Sequence, residues 1–168
     1  MWLLAMTILC GGADTLVDTV KNGYLDMAPY QTVGIAFSKH RWFVSTTWEQ
    51  QPAGGGGMVT FTGVIPDDEA VKNFYERKKY AFNMGLKAMQ LEPTYGLTED
   101  KVKLSFIIRF AVDGERRFKV DSGSLGILSK AGEWRERPLP DKALLEIIRG
   151  IYIQRNPYES LILGLPFK

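Results

Sequence analysis

The chain has 168 residues, 45% of them hydrophobic and 24% charged, which is typical of one globular domain with a sizeable core. Its net charge of +2 gives no overall electrostatic basis for binding nucleic acid, and we expect none. The only cysteine, Cys10, and the only histidine, His40, exclude a disulfide framework and metal sites built from thiolates or several imidazoles. We therefore expect no metal and no cofactor.

The first 13 residues predict a signal segment. Residues 2–10 carry no charge and are too few to span a bilayer, and small residues at 11–13 suit cleavage before Asp14. Two alternatives stay open: acylation of Cys10, which the large Leu9 before it disfavours, and a buried N-terminal strand that keeps Cys10 as a small hydrophobe. We expect an exported protein, periplasmic or cell-envelope associated, that touches a membrane only if Cys10 is lipidated.

The next residues predict a short helix followed by a β-hairpin. Residues 14–30 are interpreted as a lead-in with a turn at Asn22-Gly23, and Thr32 as the N-cap of a helix over TVGIAFSKH. RWFVSTTWEQ alternates as a strand does, with one face formed by Trp42, Val44, Thr46 and Trp48. MVTFTGVI predicts the partner strand. The glycines at 54–57 precede this strand rather than a helix, so they indicate a flexible hairpin loop and not a phosphate loop.

A long helix is predicted over residues 67–90, with Asp67, Asp68 and Glu69 complementing the dipole of its first turn. KVKLSFIIRFAVD then alternates apolar and polar residues, and Asp113-Gly114 turns it into a partner strand, ERRFKVDSG. GEWRERPLP is interpreted as a loop. KALLEIIRGIYIQ predicts a final helix, and residues 157–168 an apolar tail.

These elements have the order α-ββ-α-ββ-α. We therefore predict an α+β fold in which an antiparallel sheet of two hairpins is covered by helices on one face. No linker or internal repeat divides the chain, so residues 14–168 are expected to form a single domain.

No residue pattern identifies a catalytic site, and we assign no catalytic residues. An aromatic cluster is either core or the lining of a small-ligand pocket; its members are Trp42, Trp48, Phe61 and Tyr30. His40 is expected to be a surface or helix-capping histidine. In a catalytic role it would need a carboxylate beside it as acid or base.

Residues 20 to 65 resemble a loose group of small exported bacterial proteins and lipoproteins of unknown function. The resemblance lies in VKNGYL, a TVGIAF-type helix, a strand ending near Trp48-Glu49 and a VTFTG strand, with a weaker echo in IIRFAVD and RRFKVDSG. It implies export and an α+β fold. The long helix at 67–90 and the apolar tail depart from the group.

We accordingly expect a non-catalytic envelope protein that acts through protein–protein contact. The aromatic strands and the tail segment LILGLPF are the expected contact surfaces, and the partner is another protein or a second copy joined through a sheet edge or the tail. The alternatives are a ligand-binding module around Trp42 and Trp48 and an enzyme that uses His40.

Overall fold

The structure, a computed structural model, describes residues 15–65 and 101–164. Three predictions lie outside these residues: the signal segment with Cys10, the helix over 67–90 with its three acidic residues, and the end of the tail after residue 164.

Two short helices begin the described chain. Helix α1, Leu16–Asn22, lies where a lead-in was expected, and it starts with a capping box in which Thr15 and Asp18 each accept a hydrogen bond from the other's backbone N–H. Helix α2, Val33–Ser38, is confirmed together with its Thr32 cap, whose hydroxyl accepts from the backbone N–H of Ile35. Each helix is thus started by a local side chain, which is why the sequence specifies its position.

Within residues 15–65 and 101–164, five antiparallel strands form one sheet, and their order across the sheet is their order in the chain. Each strand pairs with the one before it, so the sheet is a meander with β1 and β5 at its edges. The strands are β1 (Ser45–Ala53), β2 (Gly56–Ile65), β3 (Lys101–Val112), β4 (Phe118–Ser129) and β5 (Trp134–Pro138).

The α+β class and the antiparallel sheet are confirmed, but the predicted order and the two-hairpin description are wrong. A second N-terminal helix is present, the fifth strand lies where a loop was expected, and residues 157–164 form a helix rather than an extended tail. The strand predicted from residue 41 onward begins only at Ser45, so Trp42 lies in the turn before it. The sequence did not predict β5, because all five of its residues are exposed and show no alternation of apolar and polar positions.

The core lies between one face of the sheet and the helices. Phe37 of α2 packs against Phe61 of β2 and Phe110 of β3, with ring centroids 5.0 and 5.8 Å apart. Helix α3, Asp141–Tyr152, places Leu144 directly over Gly123 of β4, and α1 contacts β1, β2 and β3. Helix α4, Pro157–Gly164, packs on α3, so most of the described part of the predicted apolar tail is buried there.

A tight cap ends α3 and turns the chain into α4. Gln154 has a φ of 56°, its N–H donates to the Ile151 carbonyl at 3.3 Å, and the Arg155 N–H donates to the Gly150 carbonyl at 2.8 Å. This is the hydrogen-bond pattern of a Schellman motif, built on glutamine instead of glycine. The Ser160 hydroxyl lies where a Cβ on Gly150 would be, so the two helices approach closely.

Candidate functional site

β1 is an edge strand whose outer backbone groups point away from the sheet. A two-residue turn, Gly54-Gly55 with φ of 54° and 88°, closes on the pair Ala53 and Gly56, as a type I′ hairpin does. Hydrogen-bonded pairs alternate along an antiparallel ladder, so every second residue back from Ala53 bonds to β2. The residues between them direct N–H and C=O outward; they are Thr46, Trp48 and Gln50. Among the described strands, none pairs with this outer side.

The composition of β1 leaves this edge accessible and with a single charge. Glu49 is its only charged residue, and the strand is exposed along its length except at Thr46 and Trp48, which are half-buried. Pro52 is its only residue without a backbone N–H. Val44, just before the strand, is 65% exposed. An accessible edge of nine residues with a single charge is a template for another strand.

The opposite edge, β5, is protected. Its sequence WRERP brings three consecutive charged residues and a proline to five positions, which is how natural sheets prevent edge pairing. Glu136 bonds to Arg109 of β3 at 2.7 Å and accepts from the Ser124 hydroxyl. The Ser124 bond, then the bond and charge of Arg109, hold the pKa of Glu136 below its usual range against the opposing effect of partial burial.

Trp48 connects the open edge to the core. Its ring lies 4.9 Å from Phe61 and stacks at 6.3 Å on Phe110, and its indole N–H donates to the Ser38 hydroxyl at 3.3 Å. The Lys21 ammonium group lies 5.3 Å from its ring centroid, a cation–π arrangement. Trp48 is therefore fixed from α1, α2 and the sheet at the same time, while its backbone faces outward.

The four residues expected to line a ligand pocket do not gather at one place. Phe61 is fully buried and contacts Trp48, whereas Trp42 lies under the Arg41 guanidinium, 5.4 Å away, in the turn before β1. Tyr30 is 71% exposed. Within residues 15–65 and 101–164 no ring contact joins Trp42 or Tyr30 to the Trp48–Phe61 pair.

His40 is 3% exposed, so the expectation of a surface histidine is wrong. Its ring lies 4.6 Å from that of Phe43, and neither ring nitrogen has a hydrogen-bond partner among the described residues. Burial lowers the pKa of His40 to about 4; the nearby carbonyls of Gly150 and Arg155 oppose this shift without completing hydrogen bonds, and the charge of Arg41 adds to it. At neutral pH the imidazole is therefore an uncharged anchor of the segment that leads into β1.

That segment is docked onto the end of α3. The backbone N–H of Arg41 donates to the Gln154 side-chain oxygen at 2.8 Å, and Phe43 packs on Phe61 and Phe106. The unusual left-handed conformation of Gln154 presents its amide to Arg41. The start of the edge strand is thus positioned by a residue more than a hundred positions later in the chain.

Sequence reasoning considered a sheet edge as a contact surface but did not identify which edge. The available signal was compositional: STTW and QQPA on either side of Glu49 carry no charge, whereas WRERP is highly charged. Thr46 and Gln50, whose backbone groups point outward, were not singled out as site residues.

In the part of the chain that the structure describes, the fold is α+β and its sheet has one exposed edge strand with a single charge and one highly charged edge strand. No protein-family model matches the chain, and no curated protein or solved structure is significantly similar to it. Within the described residues no helix is long and apolar enough to cross a membrane. The same part of the chain contains no group of three or more His, Cys, Asp or Glu side chains placed to hold a metal ion.

Proposed function

We propose that this protein is an exported, non-catalytic envelope protein that acts through protein–protein contact by accepting a partner strand along β1. The observation that carries the proposal is the asymmetry in charge of the two edge strands: β5 has three charged residues in five, while the longer β1 is exposed and has one charged residue in nine. An unprotected edge of this length is an aggregation hazard unless it has a partner.

Strand addition suits the geometry of β1 better than a side-chain pocket does. The outward N–H and C=O groups supply affinity without requiring a particular sequence in the partner, and the alternating side chains supply selectivity. Trp48 is already held by its contacts with Phe61 and the Ser38 hydroxyl, so little side-chain freedom is lost when a partner binds.

Export is inferred from the apolar run at residues 2–10. Helix α1 is capped from Thr15, so cleavage before Asp14 would leave both partners of its capping box in place. Intact-mass measurement of protein recovered from its native host tests this part. A chain that begins at Asp14 supports cleavage, a diacylated Cys10 supports anchoring, and an intact Met1 contradicts export.

Site-specific photo-crosslinking in the native host tests the contact. A photoreactive side chain at Gln51, exposed on β1, is expected to give a discrete protein adduct, and the same side chain at Arg137 on β5 is expected to give none. No adduct from Gln51, or equal adducts from both edges, would contradict the proposal.

A matched pair of variants tests whether backbone pairing makes the contact. Thr46→Pro removes an outward N–H and should abolish the Gln51 adduct, because proline cannot donate to a ladder. Thr46→Val keeps the N–H and nearly the same side-chain volume, so it should retain the adduct. Circular dichroism and thermal unfolding establish that both variants are folded.

A further inference from the structure

We propose that Gln154 is a positioning residue for the strand-accepting edge, held in a left-handed backbone conformation so that its side chain can fix the segment leading into β1. This inference rests on the proposed function, since it requires β1 to be the contact edge. It adds the residue that directs the start of that edge. It also separates stability from strand acceptance, because a substitution that relieves the backbone of Gln154 should weaken the contact at β1.

The backbone conformation of Gln154 is one that glycine adopts at lower cost. With a φ of 56°, Gln154 is one of two non-glycine residues in the left-handed region among the described residues, the other being Arg116. Glycine is the usual residue at this position of a Schellman motif, because it has no Cβ to clash. Both hydrogen bonds of the cap join backbone atoms, from the N–H groups of Gln154 and Arg155. Capping therefore does not explain a glutamine.

The surroundings of Gln154 hold this conformation independently of its side chain. Directly after it in the chain, the Arg155 guanidinium bonds to Glu146 of α3 at 3.0 Å. The Ser160 hydroxyl of α4 lies against Gly150 of α3, so the two packed helices leave the junction between them little freedom. A strained backbone persists where the rest of the fold over-determines it. We therefore expect a smaller residue at position 154 to keep the same turn.

The side chain of Gln154 makes a contact that glycine could not make. Its oxygen accepts from the backbone N–H of Arg41 at 2.8 Å, and its Nε2 makes a longer contact of 3.5 Å to the Ile151 carbonyl, which turns the oxygen toward Arg41. In the part of the chain that the structure describes, no backbone carbonyl accepts from this Arg41 N–H. Because the contact is exposed, water can replace it, so its loss should free the segment more than it destabilises the fold.

The contact at Arg41 lies just before the ladder of β1. Among the described residues it is the one hydrogen bond that joins residues 40–44 to α3 or its cap. Three residues later, the Val44 N–H donates to the Val64 carbonyl at 2.9 Å and starts the pairing with β2. Thr46, the first residue of β1 with outward backbone groups, follows two residues further on. The Gln154 amide therefore sets the path of the chain into the outward-facing part of β1.

Three variants of the full-length chain separate the backbone of Gln154 from its side chain. Gln154→Gly and Gln154→Asn both suit a left-handed backbone, but the first has no side-chain oxygen and the second is one methylene shorter. Gln154→Glu keeps an acceptor oxygen at the same reach. Thermal unfolding followed by circular dichroism should give Gln154→Gly a midpoint equal to or above that of the wild type, because the left-handed strain is relieved.

Amide hydrogen exchange reports whether the segment is still held. The Val44 N–H should lose protection about fivefold in Gln154→Gly and Gln154→Asn, the effect expected for one neutral hydrogen bond. The Leu139 N–H, bonded to the Gly123 carbonyl near the start of α3, is the control and should not change. Gln154→Glu should retain the protection of Val44. Unchanged protection of Val44 in Gln154→Gly, or equal losses at Val44 and Leu139, would overturn the positioning role.

Photo-crosslinking connects this test to the proposed function. With a photoreactive side chain at Thr47, exposed near the start of β1, the protein adduct should decrease by up to about fivefold in Gln154→Gly and be retained in Gln154→Glu. A wild-type adduct that Gln154→Gly leaves unchanged overturns the positioning role and leaves the strand-accepting edge in place. No wild-type adduct from Thr47 or Gln51 overturns the proposed function itself, even where Val44 exchanges as expected.

Discussion

The two edges of the sheet are both attached to α3, but by different means. β5 runs into the start of the helix through the chain itself, with only Leu139 and Pro140 between them, and Leu139 is bonded back to Gly123 at 2.8 Å. β1 is attached to the other end of α3 without a nearby chain connection, through His40 and through the bond from Arg41 to Gln154.

This difference shows how one sheet can keep one edge closed and the other available. β5 needs its charges because a short chain connection holds it in place but does not cover its backbone. β1 has no comparable charges, and its position depends on a buried imidazole and one side-chain amide. We infer that the β1 edge is the more sensitive of the two to solution conditions, and three experiments test that asymmetry.

Acidification is expected to have the largest effect, and to act on the β1 side. The folded pKa of His40, about 4, lies below its ordinary value of 6.5, so the unfolded chain binds more protons between these values. The contribution of His40 to the free energy of unfolding is therefore fully present above pH 6.5, and it decreases as the pH drops through this window. The total loss is about 3 kcal/mol, since each unit of pKa difference corresponds to about 1.4 kcal/mol. Urea unfolding at pH 7.5 and pH 4 measures it.

His40→Leu is the control for acidification. Neither imidazole nitrogen has a partner among the described residues, so a leucine should cost little at neutral pH and should remove most of the pH dependence. Hydrogen exchange at pH 5 distinguishes the edges, because amides of residues 43–47 should exchange faster in the wild type than in His40→Leu. Equal acceleration along β5 would contradict a local effect at β1.

A pair of glycines provides the second test. The Phe43 ring lies over Gly63 on the β1 side, and the Trp134 ring lies over Gly126 on the β5 side, each too close to leave room for a Cβ. Gly63→Ala should lower the free energy of unfolding by about 2 kcal/mol, because Phe43 packs between His40 and Phe61 and cannot move away. Gly126→Ala should cost less than about 1 kcal/mol, because Trp134 is 48% exposed and can swing outward.

Denaturant unfolding of both variants at pH 7.5 makes this comparison, with Phe43→Leu combined with Gly63→Ala as the control. The smaller leucine should restore much of the loss if the ring is its cause. Equal losses at the two glycines would mean that the two edges are held with equal rigidity, which contradicts the asymmetry.

The parts of the fold that local chemistry determines were predictable from the sequence. Thr32 caps α2 through a local hydrogen bond that depends on no distant residue. Apolar residues alternate along β3 and identify the face that packs in the core. β5 was not predictable, because a strand that is exposed along its length shows no apolar alternation. α4 was read as a tail because its buried residues are distributed around the helix and leave no polar face.

The sequence predicted the kind of candidate site, a sheet edge, but not its location. That an antiparallel sheet has edge strands was predictable, but which strands lie at the edges depends on the order of pairing. The backbone groups of Gly150 and Arg155 that act on the pKa of His40 are brought to it by the fold from the far end of the chain. No local pattern around Lys39 and Arg41 indicates those contacts.

The smallest effect is expected at β5, where Glu136 bonds to Ser124 and Arg109. The pKa of Glu136 is lowered from 4.5, mainly by the Ser124 hydroxyl, so its contribution is present above pH 4.5 and is lost as the pH falls through its folded pKa. Because both members of the ion pair are partly exposed, Glu136→Gln should cost only about 0.5 kcal/mol at pH 7.5.

The two edges therefore respond to acid in different windows that overlap only near pH 4, β1 between pH 6.5 and 4 and β5 only below pH 4.5. The free energy of unfolding of Glu136→Gln, measured in urea, should stay a constant amount below that of the wild type from pH 7.5 to 5 and should converge with it at lower pH. The free energy of unfolding of His40→Leu should instead diverge from that of the wild type over the higher range. If Glu136→Gln altered the slope of unfolding free energy against pH between pH 6.5 and 5, the hydrogen bonds of Glu136 on β5 would be coupled to His40 beside β1 through α3. The open edge would then be controlled from the closed one, and the asymmetry of the sheet would be a property of the helix that joins its edges.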